Sequence, residues 1–297
     1  MIVNIRKSPA FLLFANDFLL LTKSRLTISV VFSSIAGYLL AATSPSAFHI
    51  IMLSIGGYSL AGSSNAFNQI IEKDIDSKMI RTQNRPIPSG RMTTSSAFTI
   101  ATLLLILGLI VLYAFNPMTA MFGAISVFLY TCAYTPLKTI TPLSVFVGAI
   151  PGAIPFMLGW ISSTGRFGIE PAILFMIQFF WQFPHFWAIG WLMKDDYKKA
   201  GINMLPTGLA NNTTALQIIL YILWTIVISV FPVLGLSGDL RLTFAASVFI
   251  IIIGIILLGS GFKLYNSKSQ ESAKKLMVIS IFYITAIQWI YVIDKFI

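Results

Sequence analysis

Ten carboxylates are spread over 297 residues, and five of them fall in two short windows, 72–76 and 195–196. In the first window Asn68, Glu72 and Asp76 recur at i, i+4 and i+8, so a helix would carry all three along one face. Like charges at that spacing repel, and a compensating cation is expected. Their oxygens suit a hard divalent ion such as Mg²⁺, which takes one or two carboxylates and fills its remaining positions with water and phosphate oxygens. Arg81 and Arg85 follow, with guanidinium forks that match phosphate. The plainer alternative is a solvated helix end with ion pairs such as Asp74 with Lys78. The second window, Lys194-Asp195-Asp196-Tyr197-Lys198-Lys199, comes a few turns after Gln182 and His185, which interrupt an apolar run. Polar groups at such positions in a membrane are costly and usually face a cavity. Two acidic-plus-basic clusters, on matching loops, predict a two-sided cage closing on a diphosphate.

The elements that position these residues follow from composition. The chain is 57% apolar and 10% charged, with a mean hydropathy of +0.84. A water-soluble domain carries about 25% charged residues, so a soluble enzyme and a disordered chain are excluded and an integral membrane protein is expected. Charge-free gaps count the spans. Leu26–Ile71 and Met92–Leu137 hold two each, broken at Thr43-Ser44-Pro45-Ser46 and at Asn116-Pro117. Single spans are expected at Thr139–Gly165, Pro171–Met193, Ala215–Leu234, Leu242–Phe262 and Leu276–Ile293, which makes nine in all. With nine, 17 of the 20 Lys and Arg residues fall on one side and only Arg166, Arg241 and Lys295 on the other. The positive-inside bias then places the N-terminus in the cytoplasm and the C-terminus outside. The same distribution accounts for the pI of 9.7 without invoking nucleic acid. Both acidic windows lie in cytoplasmic loops.

Residues 1–25 read as a cytoplasmic amphipathic segment and 26–297 as one nine-helix transmembrane domain. Asp17 interrupts the apolar run 11–22, and Lys23 and Arg25 follow it, which argues against a cleaved signal peptide. A bacterial inner membrane is the expected location. Cys132 is the only cysteine, so an internal disulfide and a multi-cysteine metal site are excluded. His49, beside the first outer loop, reads as structural. Seven aromatic rings between Phe179 and Trp191 serve either packing or the stabilisation of a cation. His185 has three open readings: a haem-iron ligand, a proton acceptor or hydrogen bonder, or a satisfied polar residue. Pro142, Pro151 and Pro155, with Gly148, Gly152 and Gly159, crowd the fifth span and either open a cavity or permit close packing.

The Asn68-x₃-Glu72-x₃-Asp76 pattern, in the second loop of nine spans, resembles the first aspartate-rich motif of the UbiA family of intramembrane prenyltransferases. The extension Arg81-Thr82-x₂-Arg85-Pro86, with Gln182-x-Pro184-His185-Phe186 and Asp196-Tyr197, is similar to the haem o synthase branch of that family. Two departures stand out. Glu72 replaces the more usual Asp, and Asp195-Asp196 is not an Asp-x₃-Asp pattern. The resemblance implies a UbiA-type helical bundle that transfers the farnesyl group of farnesyl diphosphate to a vinyl group of haem b, with water adding, to give haem o. It implies Mg²⁺ on Asn68, Glu72 and Asp76, with Asp196, aided by Asp195, on the opposite side. Lys73, Arg81, Arg85, Lys138, Lys194 and Lys198 are then candidates for phosphate or propionate contacts, with Gln182 and Tyr197 lining the substrate. Expected partners are the lipid bilayer, haem-processing enzymes and terminal oxidase assembly. Within the same fold, an aromatic quinone precursor or a chlorophyll-type acceptor is the main rival. A haem or ion transporter is the rival from another class, and the absence of a P-loop sequence argues against an ATP-driven pump.

Overall fold

The computed structural model describes residues 10–297, and among these there is no strand. Helix α1 (Ala10–Leu21) leads through a two-residue elbow into α2 (Ser24–Ala41). Then come α3 (Ala47–Ile71) and its short continuation α4 (Lys73–Asp76), followed by α5 (Thr94–Tyr113). Helix α6 (Pro117–Phe128) runs through a π-helical turn, Leu129–Tyr134, into α7 (Thr135–Leu137). The second half holds α8 (Ser144–Thr164), α9 (Ile169–Leu192), α10 (Lys194–Lys199), α11 (Asn212–Val230), α12 (Phe244–Ser267) and α13 (Gln270–Phe296). The breaks between apolar runs act as caps. Thr93, Asn116, Asn211, Thr243 and Ser269 each accept a backbone N–H from the first turn of the helix that follows.

Among the described residues eight helices are long and apolar enough to cross a membrane: α2, α5, α6 with α7, α8, α9, α11, α12 and α13. Helix α3 has the length, at 25 residues, but falls outside this set. Beside Leu53, Leu60 and Ala66 it buries a polar set, Ser59, Ser63, Ser64, Asn65, Asn68 and Gln69. Around the bundle, α2 packs on α3 and α8, α8 on α9, and α9 on α11 and α13; α12 bridges α11 and α13, and α13 closes against α2. The outer faces are apolar, with Leu103, Ile110, Phe249 and Ile255 exposed. Helix α8 is the most deeply buried of the spans. Its crossing with α2 is so tight that a Cβ on Gly37 would overlap the carbonyl of Phe156, and one on Gly159 would overlap that of Ser34. Pro155 cannot donate to the carbonyl of Pro151 four residues back, and Ser126 Oγ of α6 supplies that bond at 3.2 Å.

The polar face of α3 has work to do before any chemistry. Gln69 Nε2 donates to the carbonyls of Leu20 and Leu21 at 2.9 and 2.8 Å. Asn65 Nδ2 reaches the carbonyl of Thr22 at 3.2 Å. The last carbonyls of a helix have no partner within it, so these amides close the end of α1 and bolt the elbow to α3. Arg91 ties the far side of α1 down through Asp17, at 2.9 Å, while Phe11, Leu12, Leu13 and Phe14 stay exposed. An amphipathic helix on the membrane surface has that form. At the other end of the bundle Lys295 Nζ donates to the carbonyls of Leu39, Leu40 and Ala42, capping α2 from α13.

Two outcomes follow from this packing. Gly159→Leu forces α2 and α8 apart and should cost about 3 kcal/mol, the upper end for overpacking, read as a lowered thermal midpoint of the detergent-solubilised protein. Gln69→Leu leaves the buried Leu21 carbonyl without its donor at a cost of about 1–3 kcal/mol, and limited proteolysis should then cut near the α1–α2 elbow faster than in the wild type.

Candidate active site

The i, i+4, i+8 face survives a change of helix. The chain bends at Glu72, with φ −89° and ψ 8°. Even so, Glu72 N–H still donates to the Asn68 carbonyl at 2.9 Å and Asp76 N–H to the Glu72 carbonyl at 2.7 Å. Asn68, Glu72 and Asp76 are all buried, and each meets one cation. Lys23 Nζ donates to Asn68 Oδ1 at 2.9 Å, Lys138 Nζ to Glu72 Oε1 at 2.7 Å, and Arg85 to Asp76 Oδ2 at 2.5 Å. Asp76 Oδ1 is buried with no hydrogen-bond partner.

Three separate stretches bring these cations together. Lys23 stands in the elbow at φ 47°, ψ 52°, a left-handed conformation uncommon for a residue with a side chain. Arg85 comes from the loop after α4, where Thr82 Oγ1 donates to the Asp76 carbonyl at 2.8 Å. Lys138 follows α7, and the π-helical turn before it shifts the register of everything beyond. That shift sets Thr135 Oγ1 to accept from Asn68 Nδ2 at 3.1 Å and lays the Tyr134 ring 4.4 Å from Lys138 Nζ. Single π turns of this kind occur often at functional sites. Burial, with the Arg85 and Lys138 charges beside it, holds the Lys23 ammonium pKa well below its ordinary value, against the pull of Glu72 and Asp76. Burial pushes the Asp76 carboxyl up, against the opposing pull of Arg85.

The second acidic window reaches the first but meets it differently from the expected cage. Asp196 spends its carboxylate on the backbone N–H groups of Ile80 and Arg81, at 3.2 and 3.4 Å. Asp195 turns away to Gln270, at 3.4 Å. Among the described residues no three His, Cys, Asp or Glu side chains gather as a metal site, and Asp196 anchors the 77–93 loop through these two amides. The departure from an Asp-x₃-Asp spacing accounts for this, because adjacent residues on α10 point in different directions. Lys73, Arg81, Lys194 and Lys198 are exposed, whereas Arg85 and Lys138 enter the site. Tyr197 is buried in the core. Gln182 is spent on the Ala149 carbonyl of α8 at 2.9 Å, in space left by Gly152.

His185 is half-buried, with Nδ1 2.9 Å from Ser280 Oγ of α13 and its ring stacked on Trp181 at 4.9 Å. Phe186, the next residue, faces Tyr134 at 6.4 Å between ring centroids. Phe183 and Trp187 pack instead against Tyr221 of α11, and Phe180 against Tyr221 and Trp224. The aromatic run thus divides, with Trp181, Phe186 and Tyr134 on the His185 side. Sequence reading missed Lys23, Thr135 and Tyr134. Lys23 was visible only as one more positive charge near a span, and the π turn that aims the other two leaves no periodic signal.

Comparison with known proteins identifies the family and the fold. The profile of the UbiA prenyltransferase family matches residues 30–285. The protoheme IX farnesyltransferase of Flavobacterium psychrophilum is 57% identical over 284 residues, covering 95% of each chain. That of Christiangramia forsetii is 59% identical over 282 residues, covering 95% of this chain and 94% of its own. A solved digeranylgeranylglyceryl phosphate synthase has the same fold, with a TM-score of 0.77 at 17% identity over 94% of this chain and 98% of its own. So does a UbiA homologue from Archaeoglobus fulgidus bound to GPP and Mg²⁺, with a TM-score of 0.64 at 14% identity over 93% and 99%. A multi-pass, all-helical membrane protein with an acid motif buried among basic side chains, this chain belongs to the UbiA prenyltransferase family, in its protoheme IX farnesyltransferase branch.

Proposed function

We propose that the site ionises farnesyl diphosphate and transfers the farnesyl group to a vinyl group of haem b, giving haem o and diphosphate. The observation that carries this reading is the set of buried oxygens on Asn68, Glu72 and Asp76, ringed by basic side chains and including an Asp76 oxygen without a partner. Hard oxygen donors of this kind fit Mg²⁺, and Asn68, Glu72 and Asp76 are the residues that would hold it. When bound, the ion supplies charge stabilisation to the leaving diphosphate. The names of the relatives support the haem acceptor and the farnesyl donor.

The chain's own residues divide the remaining work. Breaking the carbon–oxygen bond places negative charge on diphosphate oxygens, and Arg85 and Lys138 donate to them from a water-poor pocket where such contacts act strongly. The other product of ionisation is an allylic cation, whose charge the ring faces of Tyr134, Phe186 and Trp181 can stabilise. Attack by the vinyl carbon moves the positive charge onto the haem side chain, water captures it, and the added water loses a proton. His185, seated by Ser280 and Trp181, is assigned to accept that proton. Asp196 acts at one remove, by fixing the loop that carries Arg85.

Helix α3, anchored on both sides, completes a ninth span. We place the N-terminus and the site at the cytoplasmic face of a bacterial inner membrane, because 17 of the 20 basic residues then lie inside.

Incubating the lipid-reconstituted protein with haem b, farnesyl diphosphate and Mg²⁺ should yield a haem heavier by a hydroxyfarnesyl group, read by mass spectrometry. An unchanged haem mass overturns the acceptor assignment, and a prenylated aromatic acid in its place selects the rival acceptor. Asp76→Asn should lower turnover at least about 100-fold without loss of folded protein, as should removing divalent metal with EDTA. Full turnover in that variant would eliminate the diphosphate cage.

A further inference from the structure

Ser280 of α13 is fully buried and meets α9 through two of its atoms. Its backbone carbonyl accepts the Trp181 indole N–H at 2.6 Å, and its hydroxyl oxygen lies 2.9 Å from His185 Nδ1. The same hydroxyl donates to the Met277 carbonyl, one turn back, at 2.7 Å. We propose that Ser280 is a positioning residue that fixes the tautomer of His185, placing the hydrogen on Nδ1 and leaving the Nε2 lone pair to take the reaction's proton. The inference rests on the functional reading above and adds to it the accepting atom and the residue that selects it.

Counting hydrogens decides the tautomer. A serine hydroxyl carries one hydrogen, and a carbonyl carries none. Two oxygens at the Ser280–Met277 separation repel unless a hydrogen lies between them, so the serine hydrogen is committed there. Ser280 Oγ therefore meets the histidine as an acceptor, and only an Nδ1–H completes that bond. In a neutral imidazole the hydrogen bond at one nitrogen leaves the lone pair on the other. Among the described residues Nε2 has no hydrogen-bond partner. From the ring, aromatic contacts run through Phe186 and Tyr134 to Lys138 at the acid motif. The opposite tautomer would turn its lone pair toward Ser280 and leave no base on the free side.

The same seat suits the ring once it is charged. Water bonds through its oxygen to the positive carbon of the haem side chain. The resulting oxonium gives one proton to Nε2, so an O–H bond breaks as an N–H bond forms. Nδ1–H still donates to Ser280 Oγ, now as a charge-assisted bond. The Trp181 ring, stacked at 4.9 Å and 16°, offers its face to the imidazolium. Neither contact has to move, and a donor or dipole already in place costs no reorganisation during the reaction.

The test reads the tautomer itself. The chain has two histidines, His49 and His185, so protein labelled with ¹⁵N-histidine in lipid nanodiscs gives two ring systems, and His185→Gln assigns them. In alkaline buffer the wild-type His185 should show a protonated Nδ1 and a bare Nε2. Ser280→Ala removes one oxygen and keeps a helix-favouring residue. It should make the Nε2–H form the major one and lower kcat at least about tenfold, with KM for both substrates close to the wild-type value. Ser280→Thr, whose hydroxyl bonds back along a helix in the same way, should restore both. A bare Nδ1 in the wild type overturns the proposal even if no variant accumulates, as does an unchanged spectrum or an unchanged kcat in Ser280→Ala. These results leave the functional reading standing. Full turnover in His185→Gln removes His185 from that reading and takes this inference with it.

Discussion

A polar side chain in the hydrocarbon core must find a partner, because no water is there to replace one. Helix α3 carries this constraint further than any other part of the chain. Asn65 and Gln69 meet it by fastening the elbow between α1 and α2. Asn68 and Glu72 meet it by drawing in Lys23, Thr135 and Lys138. The same need for satisfaction that fixes the fold also assembles the site, which is why structure and chemistry share one helix face. A buried ion pair such as Glu72 with Lys138 contributes little net stability, since both charges must be stripped of water. Its value lies in specifying which elements meet.

Helices α8 and α9 supply the other kind of constraint. Close approach at Gly37 and Gly159 seats α2 on α8, and Gly152 lets Gln182 of α9 reach an α8 carbonyl. These contacts hold α9 in the rotation that presents Trp181, His185 and Phe186 on one side and Phe183 and Trp187 on the other. Asp196 then joins the two halves of the chain on the face that carries the acids, by closing two backbone amides of the 77–93 loop.

What could be read in advance follows from the range of the interaction. The Asn68, Glu72, Asp76 face was legible because helical spacing is local, whereas Arg85 and Lys138 stood among six basic candidates, and burial alone parts them from Lys73, Arg81, Lys194 and Lys198, which are exposed. The span count rested on gaps in charge, which treat α3 as an ordinary crossing; its hydropathy reveals how much polar surface it carries. The directions of Asp195 and Asp196 depend on contacts more than seventy residues away in sequence, which spacing cannot encode. Lys23 was hidden for the same reason. Its role depends on an elbow conformation set by side chains 43 to 49 residues further on.

The pair between Glu72 and Lys138 spans 66 residues, with two apolar crossings between them, and this bears on how the protein is made. When α3 leaves the ribosome its glutamate has no counterion, and the lysine that will neutralise it has not been synthesised. The headgroup region, where a carboxylate stays hydrated, is the natural resting place for that end of the helix in the interval. Translation of α7 and Lys138 is therefore the earliest moment at which the nascent chain can neutralise the acidic end of α3 from within. The buried cluster at the end of α3 is completed late, from behind.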